Sequence, residues 1–217
     1  VPKPVVREPL RRNSRSNRAR ILATARQELG RNPDVTLEEI ARAAGVVRRT
    51  LFGHFPGRAA LLDALAEEAS EALRGVVARL PDEAEAPDRA FARFVLSIWS
   101  VGDRYRLLLA LARQDLGVER VSEVLAPARD VATAVLERGQ RAGVFHEHLP
   151  AVVLSSGLEA LAISLLESVN TGAWEDDGTR TAIATLVAAG VPEKEASAVV
   201  ESVASEERAE AAEATDA

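Results

Sequence analysis

The stretch from Thr36 to Arg58, TLEEIARAAGVVRRTLFGHFPGR, decides the fold. It reads as two short helices joined by a tight turn. Thr36 with Glu39 three residues on forms a capping box, which starts the first helix. Leu37, Ile40, Ala41 and Ala44 follow at helical spacing. The second helix spans about Val47 to His54 and stops before Phe55-Pro56. A helix-turn-helix needs a small residue where its helices cross and a turn residue free to adopt positive φ. Ala41 and Gly45 meet both needs, and Ile40, Ala44, Val46 and Leu51 are apolar where the unit must pack.

A broken local rule gives the unit a function. Arg48 and Arg49 open one helix and Arg58 opens the next. Cations there oppose the helix dipole, at a cost of roughly 0.3–1 kcal/mol each. The preceding helix instead opens with Glu38 and Glu39, as stability prefers. Such conflicts gather at functional sites, and a phosphate backbone would reverse the sign of this one. The charge of the surroundings agrees. Residues 1–60 hold 13 Lys+Arg against 5 Asp+Glu, whereas the rest hold 14 against 28, so a basic quarter sits on an acidic body of net charge −6 overall. That pattern implies a polyanionic partner for the first quarter alone.

Composition narrows the alternatives. Hydrophobic residues make up 47% of the 217 and aromatics 4%, a helix-favouring mixture with enough apolar material for a core. Cysteine is absent, which excludes disulfides and thiolate metal sites. The polar, arginine-rich beginning does not read as a signal peptide, and none is expected. The apolar run from Ala151 to Val169 contains Glu159 and Glu167, so it reads as a packed helix, no membrane is expected, and the cytoplasm is the expected compartment.

Working outward, residues 1–16 read as a flexible basic arm, 17–56 as the helix-turn-helix domain, 57–204 as a helical regulatory domain and 205–217 as a disordered tail. The first helix is expected over about 17–29, closed by Gly30, and the fourth over about 57–80. After an acidic break from Pro81 to Pro87, helices are expected over about 88–101, 103–116, 118–142, 150–170, 178–190 and 192–204, with no strand. The expected class is therefore all-α: a three-helix DNA-binding domain followed by a larger helical domain.

The residues from about Arg18 to Glu68 resemble the DNA-binding domain of TetR-family transcriptional regulators. The matching segments are ILATARQEL, TLEEIARAAGV, RRTLFGHF and PGRAALL. The resemblance implies that Arg48, Arg49 and Thr50 reach base edges or adjacent phosphates, that Thr36 meets a phosphate, and that His54 and Arg58 clamp the backbone. Val47 stands where the family often has serine or threonine, so a cap and a hydroxyl are missing. Phe52 replaces the usual tyrosine and keeps only the ring. It further implies a homodimer and a small-molecule effector, with no cofactor and no catalysis.

Candidate lining residues for that effector are Phe91, Phe94, Trp99, Tyr105, Leu108, Phe145 and Trp174. The stripe of Leu154, Leu158, Leu161 and Leu165, with Ile183 and Leu186, is expected at the dimer interface, and Ser155, Ser156, Gly157 and Ala160 would permit close approach. The run Phe145-His146-Glu147-His148 reads as a solvated loop rather than a metal site, because histidines at i and i+2 share no helix face. The competing reading is a helical small-molecule carrier or enzyme with an incidental helix-turn-helix. No catalytic grouping with readable spacing supports it.

Overall fold

A computed structural model describes residues 8–79 and 84–216, with side chains described except at 8–14, 106–110, 112–113, 211 and 214–216. The chain is all-α. Among the described residues there is no strand, and the helices are α1 (Glu8–Arg31), α2 (Leu37–Ala43), α3 (Arg48–His54), α4 (Arg58–Val77), α5 (Pro87–Asp115), α6 (Val118–Arg141), α7 (Ala151–Asn170), α8 (Thr179–Ala188) and α9 (Glu193–Asp216).

Two compact units emerge. The first comprises Val1–Glu68 with Leu107–Ser122, and the second comprises Ala69–Arg106 with Glu123–Ala217. The unit that holds the helix-turn-helix extends past Pro56. It takes in the first half of α4, whose Leu61, Leu62 and Leu65 are buried, and a segment from far along the chain.

In the first unit, α1, α2 and α3 pack on one another around Ile21, Leu22, Ala25, Leu29, Ile40, Ala44, Leu51 and Phe55. The turn between α2 and α3 forms as the sequence requires. Gly45 has φ +62, Val46 N donates to Ala41 O at 2.9 Å and Gly45 N to Arg42 O at 3.1 Å. These two bonds satisfy carbonyls at the end of α2 and reverse the chain. Helix α1 differs from expectation at both ends. It begins at Glu8, inside the segment read as an arm, while Val1–Arg7 lie outside the described residues. It also runs through Gly30 to Arg31. Asn32 closes it by accepting from Asp34 N at 3.0 Å, beside a proline that cannot continue the helix.

The second unit is built around Phe91, Ala92, Val95, Leu136, Phe145, Leu154, Leu158, Leu186, Val200 and Val203. Three expectations change here. Gly102 does not divide residues 88–116, because α5 is continuous. A glycine inside a helix costs only about 1 kcal/mol relative to alanine, and the buried Trp99, Val101 and Tyr105 hold the helix on both sides. A β-carbon at Gly102 would lie 3.5 Å from Leu166, so the site also admits close packing.

The segment read as a tail continues α9 to Asp216, and it lacks an apolar stripe because charge docks it instead. Arg89 and Arg93 on α5 donate to Glu206 at 2.8 and 3.0 Å, and Ser97 donates to Glu207 at 3.5 Å. The loop after α6 is only partly solvated. Phe145 is buried, and His146 Nε2 lies 3.1 Å from Ala188 O at the end of α8. Leu80 and the start of the acidic break lie outside the described residues.

Candidate nucleic-acid interface

Helix α3 is a seven-residue rod with an inner and an outer side. Leu51 and Phe55, four apart, are buried and anchor it. Arg48, Arg49 and Gly53 are exposed, and Thr50, Phe52 and His54 are half-buried. Val47 precedes the helix in extended backbone (φ −74, ψ 150) with its side chain 70% exposed and no side-chain cap bond, as its lack of a hydroxyl dictates. Arg49 has no ion-pair or hydrogen-bond partner among the described residues, so its cation meets solvent.

Arg48 is not free in the same sense. Its Nη2 lies 3.0 Å from Glu38 Oε1 on α2, and its guanidinium carbon sits 5.0 Å from the centre of the Phe52 ring. An opposing carboxylate and a ring face therefore offset the cost of a cation at this helix start. Phosphate is not needed to explain it.

Thr36 and Glu39 form the expected capping box. Glu39 N donates to Thr36 Oγ1 at 3.2 Å, and Thr36 N and Oγ1 donate to Glu39 Oε2 at 2.8 and 2.7 Å. These bonds from Thr36 hold the Glu39 carboxyl below the usual carboxylate range. The hydroxyl expected to meet a phosphate is thus engaged within α2.

Arg58, expected to clamp the DNA backbone, is turned inward. Its Nη2 donates to Pro33 O at 2.6 Å, its Nη1 to Val35 O at 3.2 Å and its Nε to Asp115 Oδ2 at 3.1 Å. His54 lies 6.2 Å from Phe55, ring to ring, and Arg18 of α1 sits 5.4 Å over that same Phe55 ring. The structure thus gathers Arg48, Arg49, Thr50 and Phe52 on one short helix, with Glu38 beside them. Glu38 and Asp115 escaped the sequence reading because no local spacing links either to its arginine.

Residues 21–65 match the family described as bacterial regulatory proteins, tetR family. Over that segment the chain resembles the TetR family. No curated protein matches the sequence. Among solved structures, a tetR-family regulatory protein from Rhodococcus RHA1 superposes with TM-score 0.68 at 18% identity, covering 81% of this chain and 98% of that one. A gamma-butyrolactone receptor described as ArpA-like gives TM-score 0.70 at 19% identity, covering 89% and 99%. SmeT, the repressor of the Stenotrophomonas maltophilia multidrug efflux pump SmeDEF, gives 0.61 at 22%, covering 79% and 89%. At these identities the likeness is one of fold. The family match covers α2, α3 and parts of α1 and α4, the helix-turn-helix segment of the chain.

The second unit holds the aromatic residues expected to line an effector site. Phe91 and Phe94 stack at 5.9 Å, and Phe145 meets Phe91 edge-on at 5.9 Å. All three belong to the core. Trp99 and Tyr105 are also buried. Gly178 presses on the Trp99 ring, where a β-carbon would come within 2.8 Å. Trp174 is half-buried, with Arg180 6.0 Å over its ring. The side chain of Leu108 lies outside the described residues.

The expected dimer stripe divides. Leu154, Leu158 and Leu186 are buried in the core of their own chain, which removes them from any surface. Leu161, Leu165 and Ile183 are half-buried, and Ser155 is buried. The exposed side of α7 carries Val152 and Val153, 56% and 49% exposed, with Ser156, Gly157 and Ala160. Val187 on α8 is 41% exposed.

Proposed function

We propose that the chain is a ligand-responsive transcriptional repressor that binds a palindromic operator as a homodimer and is released by a small molecule. One observation carries the DNA half of this reading. Helix α3 buries Leu51 and Phe55 while presenting Arg48 and Arg49 outward, on the unit that holds the chain's basic quarter. Arginine makes bidentate contacts to guanine, each worth about 1–3 kcal/mol of discrimination. Thr50, Phe52 and His54 complete the reading surface.

The homodimer is supported by α7. Among the described residues it is the one helix long and apolar enough to cross a membrane by length and composition, with mean hydropathy 1.6, yet only 22% of its apolar window is buried. One side packs inward through Leu154 and Leu158, and the other carries the exposed Val152 and Val153. A second copy covering that side with Val187, Leu161, Leu165 and Ile183 supplies the two-fold symmetry a bipartite operator needs. The aromatic-rich core of the second unit is where an apolar effector would lodge. Its binding would shift the population toward a form with low operator affinity. The compartment is the one holding the DNA, the cytoplasm.

The test is binding to the DNA flanking the chain's own gene across a salt series. Specific affinity should fall steeply with salt. Replacing Arg48 and Arg49 together by alanine should abolish the preference for that DNA over a scrambled duplex. Equal binding by parent and double variant would overturn the assignment of the reading surface. Lactones and apolar drugs, added to the preformed complex, should include a class that releases it.

A further inference from the structure

We propose that Glu38 is a specificity-determining residue: it withholds Arg48 from phosphates and leaves it available to base edges. The inference rests on the DNA-binding reading above. Two acidic residues open α2, and they do different things. Glu39 closes the capping box with Thr36, so the helix start is already satisfied. Glu38 takes no part in that box. Its carboxylate faces α3 and holds Arg48 Nη2 at 3.0 Å, while the Phe52 ring lies 5.0 Å from the guanidinium. Arg48 is therefore fixed between residues of two helices, yet its side chain is still 70% exposed.

An exposed ion pair of this kind adds little to fold stability. Its consequence lies in what it does to approaching partners. A guanidinium has five N–H donors in a planar fork. Nη2 carries one hydrogen on each of the two donor edges, so with one of them engaged by Glu38 the other edge keeps a pair of N–H donors on a side chain that is 70% exposed. An uncharged guanine edge can accept from such a fork without meeting repulsion. A phosphate must approach a site where the carboxylate has already cancelled the cation's charge. Glu38 thus weakens backbone contact at this point more than it weakens base contact, and it removes the rotational freedom Arg48 would otherwise lose on docking.

The experiment compares Glu38→Gln with the parent on two duplexes: one selected by the parent from a random-sequence pool, and a scramble of it. Glutamine keeps the shape and removes the charge, and an unchanged melting temperature confirms intact folding. Affinity for the scramble should rise roughly three- to tenfold, with a salt dependence steeper by about one phosphate contact. Affinity for the selected duplex should rise less or fall, so the ratio between them drops. In an Arg48→Ala background the same Glu38→Gln change should leave the ratio unaltered. Equal gains on both duplexes, no change on either, or an effect that persists without Arg48 would each overturn the proposal. A parent with no salt-steep DNA binding would instead overturn the DNA-binding reading beneath it.

Discussion

Arg58 and Asp115 form an ion pair at 3.1 Å although 57 residues separate them in the chain. The same guanidinium donates to the carbonyls of Pro33 and Val35, which precede α2. One side chain at the start of α4 thereby fixes the approach to α2 and ties in the end of α5.

Arg58→Ala should therefore destabilise the first unit by about 1–3 kcal/mol, the cost of leaving acceptors to charged donors unmet. Arg58→Lys should recover only part of this, since an ammonium lacks the planar fork. Chemical denaturation measures both. A phosphate-clamping role would show a different pattern: unchanged stability with a salt dependence shallower by about one contact.

Val47 holds the backbone geometry of a helix cap without an atom to cap with. Val47→Ser should stabilise the chain by about 1 kcal/mol by accepting from a free N–H at the start of α3. A rise in the urea midpoint with unchanged slope would show it, and a midpoint equal to or below the parent's would count against it.

Leu158 and Val153 lie on the same helix and should fail in different ways. Leu158 is in the core, so Leu158→Ala should cost the fold about 2–5 kcal/mol. Val153 is 49% exposed, so Val153→Arg should leave the melting of the protomer unchanged and convert dimer to monomer in sedimentation. A Val153→Arg chain that remains dimeric would move the interface away from this side of α7.

Glu206 and Glu207 are neighbours whose protonation acts in opposite directions. Hydrogen bonds from Arg93 and Arg89 hold the Glu206 carboxyl below the usual carboxylate range. Its stabilising contact is complete above about pH 4.3, the ordinary glutamate value, and fades as pH falls through the depressed one. Burial pushes the Glu207 carboxyl upward, so its charge becomes a penalty as pH rises through its raised value. At neutral pH, Glu206→Gln should speed amide exchange in the last turns of α9, and Glu207→Gln should slow it. The same sign for both variants would refute this account.

The parts of the molecule that were legible in the sequence are those written in local chemistry. Thr36 with Glu39, the turn at Gly45 and the packing residues Ile40, Ala44 and Leu51 each act within a few residues, and each stands where their spacing puts it. What stayed hidden depends on distant partners. The end of α9 has no apolar stripe, and its docking on Arg89 and Arg93 spans more than a hundred residues. Periodicity marked Leu154 and Leu158 as one stripe, but α7 has two apolar sides and spacing does not say which one its own chain covers. Arg58 was read by position and charge as a DNA contact, yet its partners Pro33, Val35 and Asp115 could be seen only in three dimensions.

The inclusion of Leu107–Ser122 in the first unit has a consequence for synthesis. Arg120 reaches Asp63 at 2.8 Å, and Asp115 reaches Arg58, so the unit contains contacts that a nascent chain ending near Glu68 cannot make. The helix-turn-helix leaves the ribosome before α5 and the start of α6, and its unit is completed only after they have followed it. A graft cut at Pro56 or Glu68 would transplant the helix-turn-helix without these braces, so chimaeras that exchange operator preference between relatives should carry both segments.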